Sequence, residues 1–152
     1  MYPMMCASGV PRPVPYSNTS MIGKSHLGHR ELHNPLSFGF DDYFGIPYSH
    51  DYCPCPCELT RTKDCTCRDN LPPCPVFDNH EIVEQPAHLP TLDEQYTQRA
   101  LDILDARAEA ESPFLLYMAY QHSHHPQYAS QRFSNSSARG AYGDSMLEAD
   151  YR

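Results

Sequence analysis

The sequence contains no apolar run of about 18 residues, so nothing in it reads as a membrane-spanning helix. It is also short of positive charge: 11 Lys and Arg stand against 19 Asp and Glu, for a formal net charge of −8. That balance argues against nucleic acid or an acidic membrane surface as the main partner. The opening residues, Met1-Tyr2-Pro3-Met4-Met5-Cys6, lack a basic segment followed by an apolar one, so no signal peptide is read there. Glycine is scarce and proline is not, with seven against fifteen in 152 residues, which makes the chain rich in loops. Gly23-Lys24-Ser25 matches the end of a phosphate-binding P-loop, but Asn18 stands where that motif needs its first glycine. No buried strand precedes it in the pattern, and a nucleotide site is excluded. The length suits one domain or part of a larger one.

What is present centres on Met21-Ile22-Gly23-Lys24-Ser25-His26-Leu27-Gly28-His29. A short apolar step leads into a glycine-flanked loop presenting one permanent cation and two imidazoles. Glycines on either side allow a tight bend and close approach to a ligand. That chemistry suits an oxyanion whose charge changes during a reaction. A second concentration lies between Cys53 and Cys74, where six of the seven cysteines occur: Cys53, Cys55, Cys57, Cys65, Cys67 and Cys74. Such density in a proline-punctuated loop predicts disulfides formed in an oxidising compartment, with the pairing left open and Cys6 odd. The rival is a zinc module. Paired zinc ligands favour wider spacing than the single residues between Cys53, Cys55 and Cys57, so disulfides are preferred.

Along the chain, residues 1–19 show neither helical period nor alternation and are expected to be irregular. Asn18-Thr19-Ser20 and Asn135-Ser136-Ser137 are glycosylation triplets, relevant only in a secreted chain. Ser20 to Ile22 reads as a short strand ending at Gly23. The stretch from Asn34 to Asp51, with its aromatics and glycines, reads as a compact loop with its own apolar packing. Its Asp41-Asp42 pair is expected to be solvated or to cap a turn. Glu81 to Glu84 is a second short strand, closed by Pro86. Thr91 to Ala110 is the clearest helix: Thr91 with Glu94 fits a capping box, and Leu92, Tyr96, Ala100, Ile103 and Leu104 form one apolar stripe. Phe114 to Tyr120 follows as a continuous apolar run, expected to be a strand buried on both faces of a parallel sheet. Ligands of open α/β sheets bind beyond the carboxyl ends of strands, and this one exits into Gln121-His122-Ser123-His124-His125-Pro126. A zinc site using His122 and His124 lacks an evident third ligand. Asp144 is expected to cap a last helix whose Leu147 and Tyr151 face a core.

Three segments then fall together: Gly23-Lys24-Ser25-His26-Leu27-Gly28; Gly39-Phe40-Asp41-Asp42-Tyr43-Phe44-Gly45-Ile46-Pro47-Tyr48-Ser49-His50-Asp51; and Pro113 through Pro126 with Tyr142-Gly143-Asp144. In this order and spacing residues 20–152 resemble the sulfatase family, in particular its arylsulfatase A type. The resemblance implies an α/β, alkaline-phosphatase-like domain and hydrolysis of sulfate esters by a formylglycine held beside calcium. The formylglycine derives from the cysteine of a Cys-x-Pro-x-Arg motif. By matching motifs, Lys24 would neutralise a sulfate oxygen, and His26 would hydrogen-bond the hydrated aldehyde and help take its proton. His124 would contact the sulfate on the leaving-group side, and Ser49 would line the same pocket. The substrate would be a sulfated small molecule, lipid or sugar, and the compartment lysosomal or secreted.

The departures from the family pattern are specific. No Cys-x-Pro-x-Arg occurs in these residues. The family's early Asp-Asp calcium ligands lie upstream of the nucleophile, so Asp41-Asp42 is not that pair, and no metal ligand is assigned in this chain. The later Asp-Asn ligands and second lysine fall beyond residue 152, Ser25 replaces the usual tryptophan, and residues 1–19 do not resemble the family. The chain therefore reads as the central part of a sulfatase domain with an unrelated start, inactive by itself. The alternative is a cysteine-rich binding or structural protein that keeps a sulfatase-derived scaffold without its chemistry.

Overall fold

A computed structural model describes residues 18–53 and 72–152. Most of the cysteine-rich loop and residues 1–17 therefore lie outside the described residues. Five strands form one mixed sheet: β1 (Asn18–Gly23), β2 (Asp42–Gly45), β3 (Val76–Asp78), β4 (Glu81–Glu84) and β5 (Phe114–Ala119). Their order across the sheet is β4-β3-β2-β1-β5. β1 runs parallel to both β2 and β5, while β3 and β4 continue antiparallel from β2. Because β2, β1 and β5 point the same way, their carboxyl ends and the loops leaving them share one edge.

Helix α1 (Leu89–Arg107) covers one face. Leu89, Leu92 and Tyr96 pack on Ile22, Ile46 and Val76 of the sheet layer, and Tyr96 meets Phe44 edge to face at 6.1 Å between ring centroids. The helix starts two residues before the expected Thr91, because Pro90 suits the first turn. No capping box forms: the Thr91 hydroxyl donates to the His88 carbonyl at 3.1 Å. The stripe fades along the helix, with Leu92 and Tyr96 buried and Leu104 exposed.

β5 departs from its expected double burial. Leu116 and Met118 face the core beneath α1, whereas Leu115 is 39% and Tyr117 51% exposed on the other face. An apolar run records how much hydrophobic surface a strand carries, not which neighbour covers it. The stretch from Asn34 to Asp51 is more than a loop, since it contains β2, with Tyr43 fully buried. Asp41 is exposed, as expected, Asp42 is half-buried, and both also bond across the strands. Asp41 accepts the Thr19 N–H at 2.8 Å and Asp42 accepts the Ser20 hydroxyl at 3.1 Å, stitching the starts of β1 and β2 together. They sit at the amino end of the parallel strands, away from the exits. Asn18 likewise begins a strand inside the stretch expected to be irregular.

The last helix, α2 (Gly140–Tyr151), begins four residues before Asp144. Asp144 therefore does not cap it. From inside the helix its buried carboxylate accepts the backbone N–H groups of Asn135, Ser136 and Ser137 at 2.9, 3.0 and 2.7 Å. Leu147 and Tyr151 are exposed, and the buried positions of α2 are Gly143, Asp144, Ser145 and Glu148. Cys53 and Cys74 are buried and joined by a disulfide, which ties the exit of β2 to the entry of β3. The other four clustered cysteines lie outside the described residues. Among the described residues no helix is long and apolar enough to cross a membrane.

Candidate active site

The shared edge is built by close backbone contact. Gly23 has φ +110°, and its residue pair in β5 is Ala119. The next residue, Lys24, donates its backbone N–H to the Ala119 carbonyl at 2.7 Å. Ser25 and His26 then donate to the carbonyls of Ile46 and Pro47, at 3.3 and 2.9 Å. The exits of β1, β2 and β5 are thereby fastened to one another, and every residue assigned a site role leaves from one of them.

Ser49 and His124 are in direct contact, Oγ to Nδ1 at 3.2 Å, across the exits of β2 and β5. The same Nδ1 lies 2.6 Å from the His125 carbonyl oxygen. A carbonyl can only accept, so Nδ1 carries a hydrogen, and Nε2 donates to an oxygen ligand only when the ring is an imidazolium. That leaves one ring nitrogen of an exposed imidazole for a ligand. Asp51 lies nearby: burial works to raise its pKa, but the Ser49 hydrogen bond and the charge of His124 hold it below the ordinary value. The neighbouring His50 is buried, with Nε2 2.9 Å from the Pro126 carbonyl and Nδ1 3.4 Å from the Gln121 side chain. Burial lowers its pKa, and a neutral ring there serves to hold the β5 exit loop.

Lys24 and His26 leave the same loop but border different clefts. Lys24 lies with Met21, Phe40 and Tyr117 on the open face of the sheet. His26, at φ 56°, lies with His29, Tyr48 and Tyr52, its ring 6.2 Å from Tyr52. His122 and His124 do not form the zinc pair. The side chain of His122 turns inward, 1% exposed, with Nε2 3.0 Å from Asp93 Oδ2 and 3.5 Å from Glu148 Oε2.

That buried cluster is the one group of three among the described residues whose ligand atoms could surround a metal, all lying within 4.8 Å of one another. It does not fit calcium, which takes six or more oxygens, whereas this group offers one nitrogen and two oxygens. Its charges balance without a metal: Arg152 reaches the second oxygen of Glu148 at 3.0 Å, and an imidazolium completes two cations against two carboxylates. Burial alone would lower the His122 pKa, but the hydrogen bonds and charges of Asp93 and Glu148 outweigh it and carry it up to about 9. For Glu148 burial is likewise overcome, by His122, Ser130 and Arg152, and the pKa falls to about 2. Sequence reasoning missed Asp93 and Glu148 because each stands alone on a helix, with its partner far along the chain.

The sign of the pH dependence follows. His122 contributes fully below its unfolded pKa of 6.5, and that contribution is lost as pH rises through about 9. Glu148 contributes fully above 4.5 and loses its share as pH falls through about 2. Urea denaturation is therefore expected to show stability falling between these upper limits, with a slope of up to about 1.4 kcal/mol per pH unit. A flat profile there would show that His122 is not charged in the folded chain.

The sulfatase family profile matches residues 17–152. Human arylsulfatase A is 39% identical over 139 residues, covering 87% of this chain and 27% of that protein. Mouse N-acetylgalactosamine-6-sulfatase is 38% identical over 144 residues, covering 89% of this chain and 25% of that protein. The chain thus spans about a quarter of the length of these curated relatives. Among solved structures, the PsFucS1 sulfatase from Pseudoalteromonas sp. superposes with a TM-score of 0.66 at 18% identity, covering 90% of this chain and 30% of that one.

Proposed function

The chain belongs to the sulfatase family, and from that premise we propose that it supplies the cationic, leaving-group side of a sulfate-ester hydrolase site. The observation that carries this reading is the Ser49–His124 contact, made at the same strand edge from which Lys24 emerges. In the proposed mechanism Lys24 neutralises a sulfate oxygen, and His26 handles the proton of the nucleophile. His124 meets the leaving-group oxygen through Nε2, with Ser49 and the His125 carbonyl fixing the ring by its other nitrogen. A fixed cation and an oriented imidazole act where charge develops, which is where electrostatic catalysis is largest. In the complete family domain calcium would supply further positive charge at the sulfate; among the described residues no group fits it.

The proposed substrate is a sulfated small molecule, lipid or sugar. Relatives of nearly equal identity are an arylsulfatase and an N-acetylgalactosamine-6-sulfatase, so identity alone does not select one substrate. A lysosomal or secreted location is supported by the Cys53–Cys74 disulfide. Glycosylation in that compartment fits Asn135, which is exposed, better than Asn18, whose triplet enters β1.

The 152 residues by themselves are expected not to turn over sulfate esters, because they contain no Cys-x-Pro-x-Arg nucleophile motif. Attraction for an anion stabilises ground and transition states alike and leaves the rate almost unchanged. The second reading is a cysteine-rich binding or structural protein on a sulfatase-derived scaffold. The test pairs an aryl sulfate assay with titration of inorganic sulfate, for the chain and for Lys24→Ala. No turnover is expected, with sulfate affinity at least about tenfold weaker in the variant. Turnover abolished by Lys24→Ala would overturn the inactivity claim, and unchanged affinity would overturn the anion site.

A further inference from the structure

We propose that His122 is a positioning residue: its buried side chain clamps the loop leaving β5 between α1 and α2 and thereby sets the place and orientation of His124. The clamp has four contacts that converge on two carboxylate oxygens, Asp93 Oδ2 and Glu148 Oε2. Nε2 of His122 faces Asp93 of α1 and Glu148 of α2 at 3.0 and 3.5 Å. The Tyr128 hydroxyl donates to the same Asp93 oxygen at 3.0 Å, and the Ser130 N–H donates to the same Glu148 oxygen at 2.7 Å. Arg152 holds the other Glu148 oxygen. Both ends of the His122–Ser130 stretch are thus tied to the same two carboxylates, with His124 exposed at its crest.

A continuous set of ring contacts joins this clamp to the site. The rings of His122 and Tyr128 lie 4.5 Å apart, Tyr128 meets His50 at 5.2 Å, and His50 meets His124 at 5.6 Å. His50 also holds the loop directly through the Pro126 carbonyl. Surface loops are ordinarily held by their own backbone turns and move readily. This one is anchored through buried charges on two helices. Breaking such a cluster by removing its cation leaves carboxylates facing each other without water, which displaces the segment that carried the cation. His122 touches no ligand in this reading and acts only through where it holds its neighbours.

The test uses the full chain. His122→Gln alone leaves Asp93 and Glu148 with one cation fewer and threatens folding, so it is made in an Asp93→Asn background, which restores the charge balance. Amide hydrogen exchange is expected to quicken at least tenfold for residues 121–125 relative to Asp93→Asn, with β5 unchanged. Exchange that quickens uniformly across the sheet, or not at all, would overturn the clamp. The kinetic consequence rests on the anion-site reading, and a double-mutant cycle with His124→Ala tests it by sulfate titration. His122→Gln and His124→Ala are each expected to weaken sulfate binding several-fold, and the pair no more than His124→Ala alone. Independent, additive losses would overturn a positioning role. If the parent chain binds no sulfate, the anion-site reading fails while the exchange result still decides the clamp. Zinc added to metal-free protein is expected to leave the melting temperature unchanged; a rise abolished by His122→Gln would reassign the cluster as a metal site and overturn the proposal.

Discussion

Gly23→Ala is expected to leave the chain unfolded at room temperature. At φ +110° an L side chain is already strained, but the larger effect is the collision. An added Cβ would fall on the backbone carbonyl of Ala119, within 2.5 Å of its carbon. Neither strand can withdraw: Gly23 and Ala119 are register partners, and Lys24 bonds to that same carbonyl. On the other side Gly45 packs against the Gly23 backbone, where its own missing Cβ leaves just enough room. Forcing β1 and β5 apart would cost more than about 4 kcal/mol, a large share of a small domain's total stability. Gly140→Ala is the control, since φ is +66° there but nothing lies within 4 Å of the added atom. It should cost about 1 kcal/mol. Circular dichroism and urea denaturation of both variants check this; equal stability of the two would show that the strand exits do not need their close approach.

Asp144→Ala should cost roughly 3–5 kcal/mol. The residue is 1% exposed, and its two oxygens receive three consecutive backbone N–H groups, a charge-assisted arrangement that alanine cannot imitate. Removing it releases the turn before α2, and with it the packing of Gly143 on Ser137. Asp144→Asn keeps one accepting oxygen and should lose about half as much. Denaturant midpoints give the magnitude, and exchange of the Asn135 to Ser137 amides localises it. A cost below about 1 kcal/mol for alanine would mean that water replaces the carboxylate without penalty.

The parts of this fold legible in the sequence were those with local signals. α1 announced itself through Leu92 and Tyr96 at helical spacing, and β5 through its unbroken apolar run. The Lys24 loop and the histidines after β5 were legible as strand exits on one edge, which is where an α/β sheet places ligands. Asp144 misled, since an aspartate near a helix start resembles a cap whether its oxygens bond forward or back. β2 was hidden because only four residues form it, and their two aromatics and one glycine read equally well as a loop. The His122 clamp was beyond reach for another reason. Asp93, His122 and Glu148 lie on three separate elements, and no spacing rule connects charges that meet only after the helices have docked.

The order of the strands has a consequence for how the chain acquires its structure. β1 is synthesised well before β5, yet it lies between β2 and β5, and Asn18 pairs in register with Phe114. At roughly 5–20 residues per second, several seconds pass on the ribosome before that partner exists. During that interval the β3–β4 hairpin can form locally and β1 can pair with β2, while the other flank of β1 presents open hydrogen-bonding groups. Closing so long a loop makes the β1–β5 pairing slow. Until β5 emerges, the nascent chain is therefore vulnerable to aggregation at that flank and dependent on chaperones there.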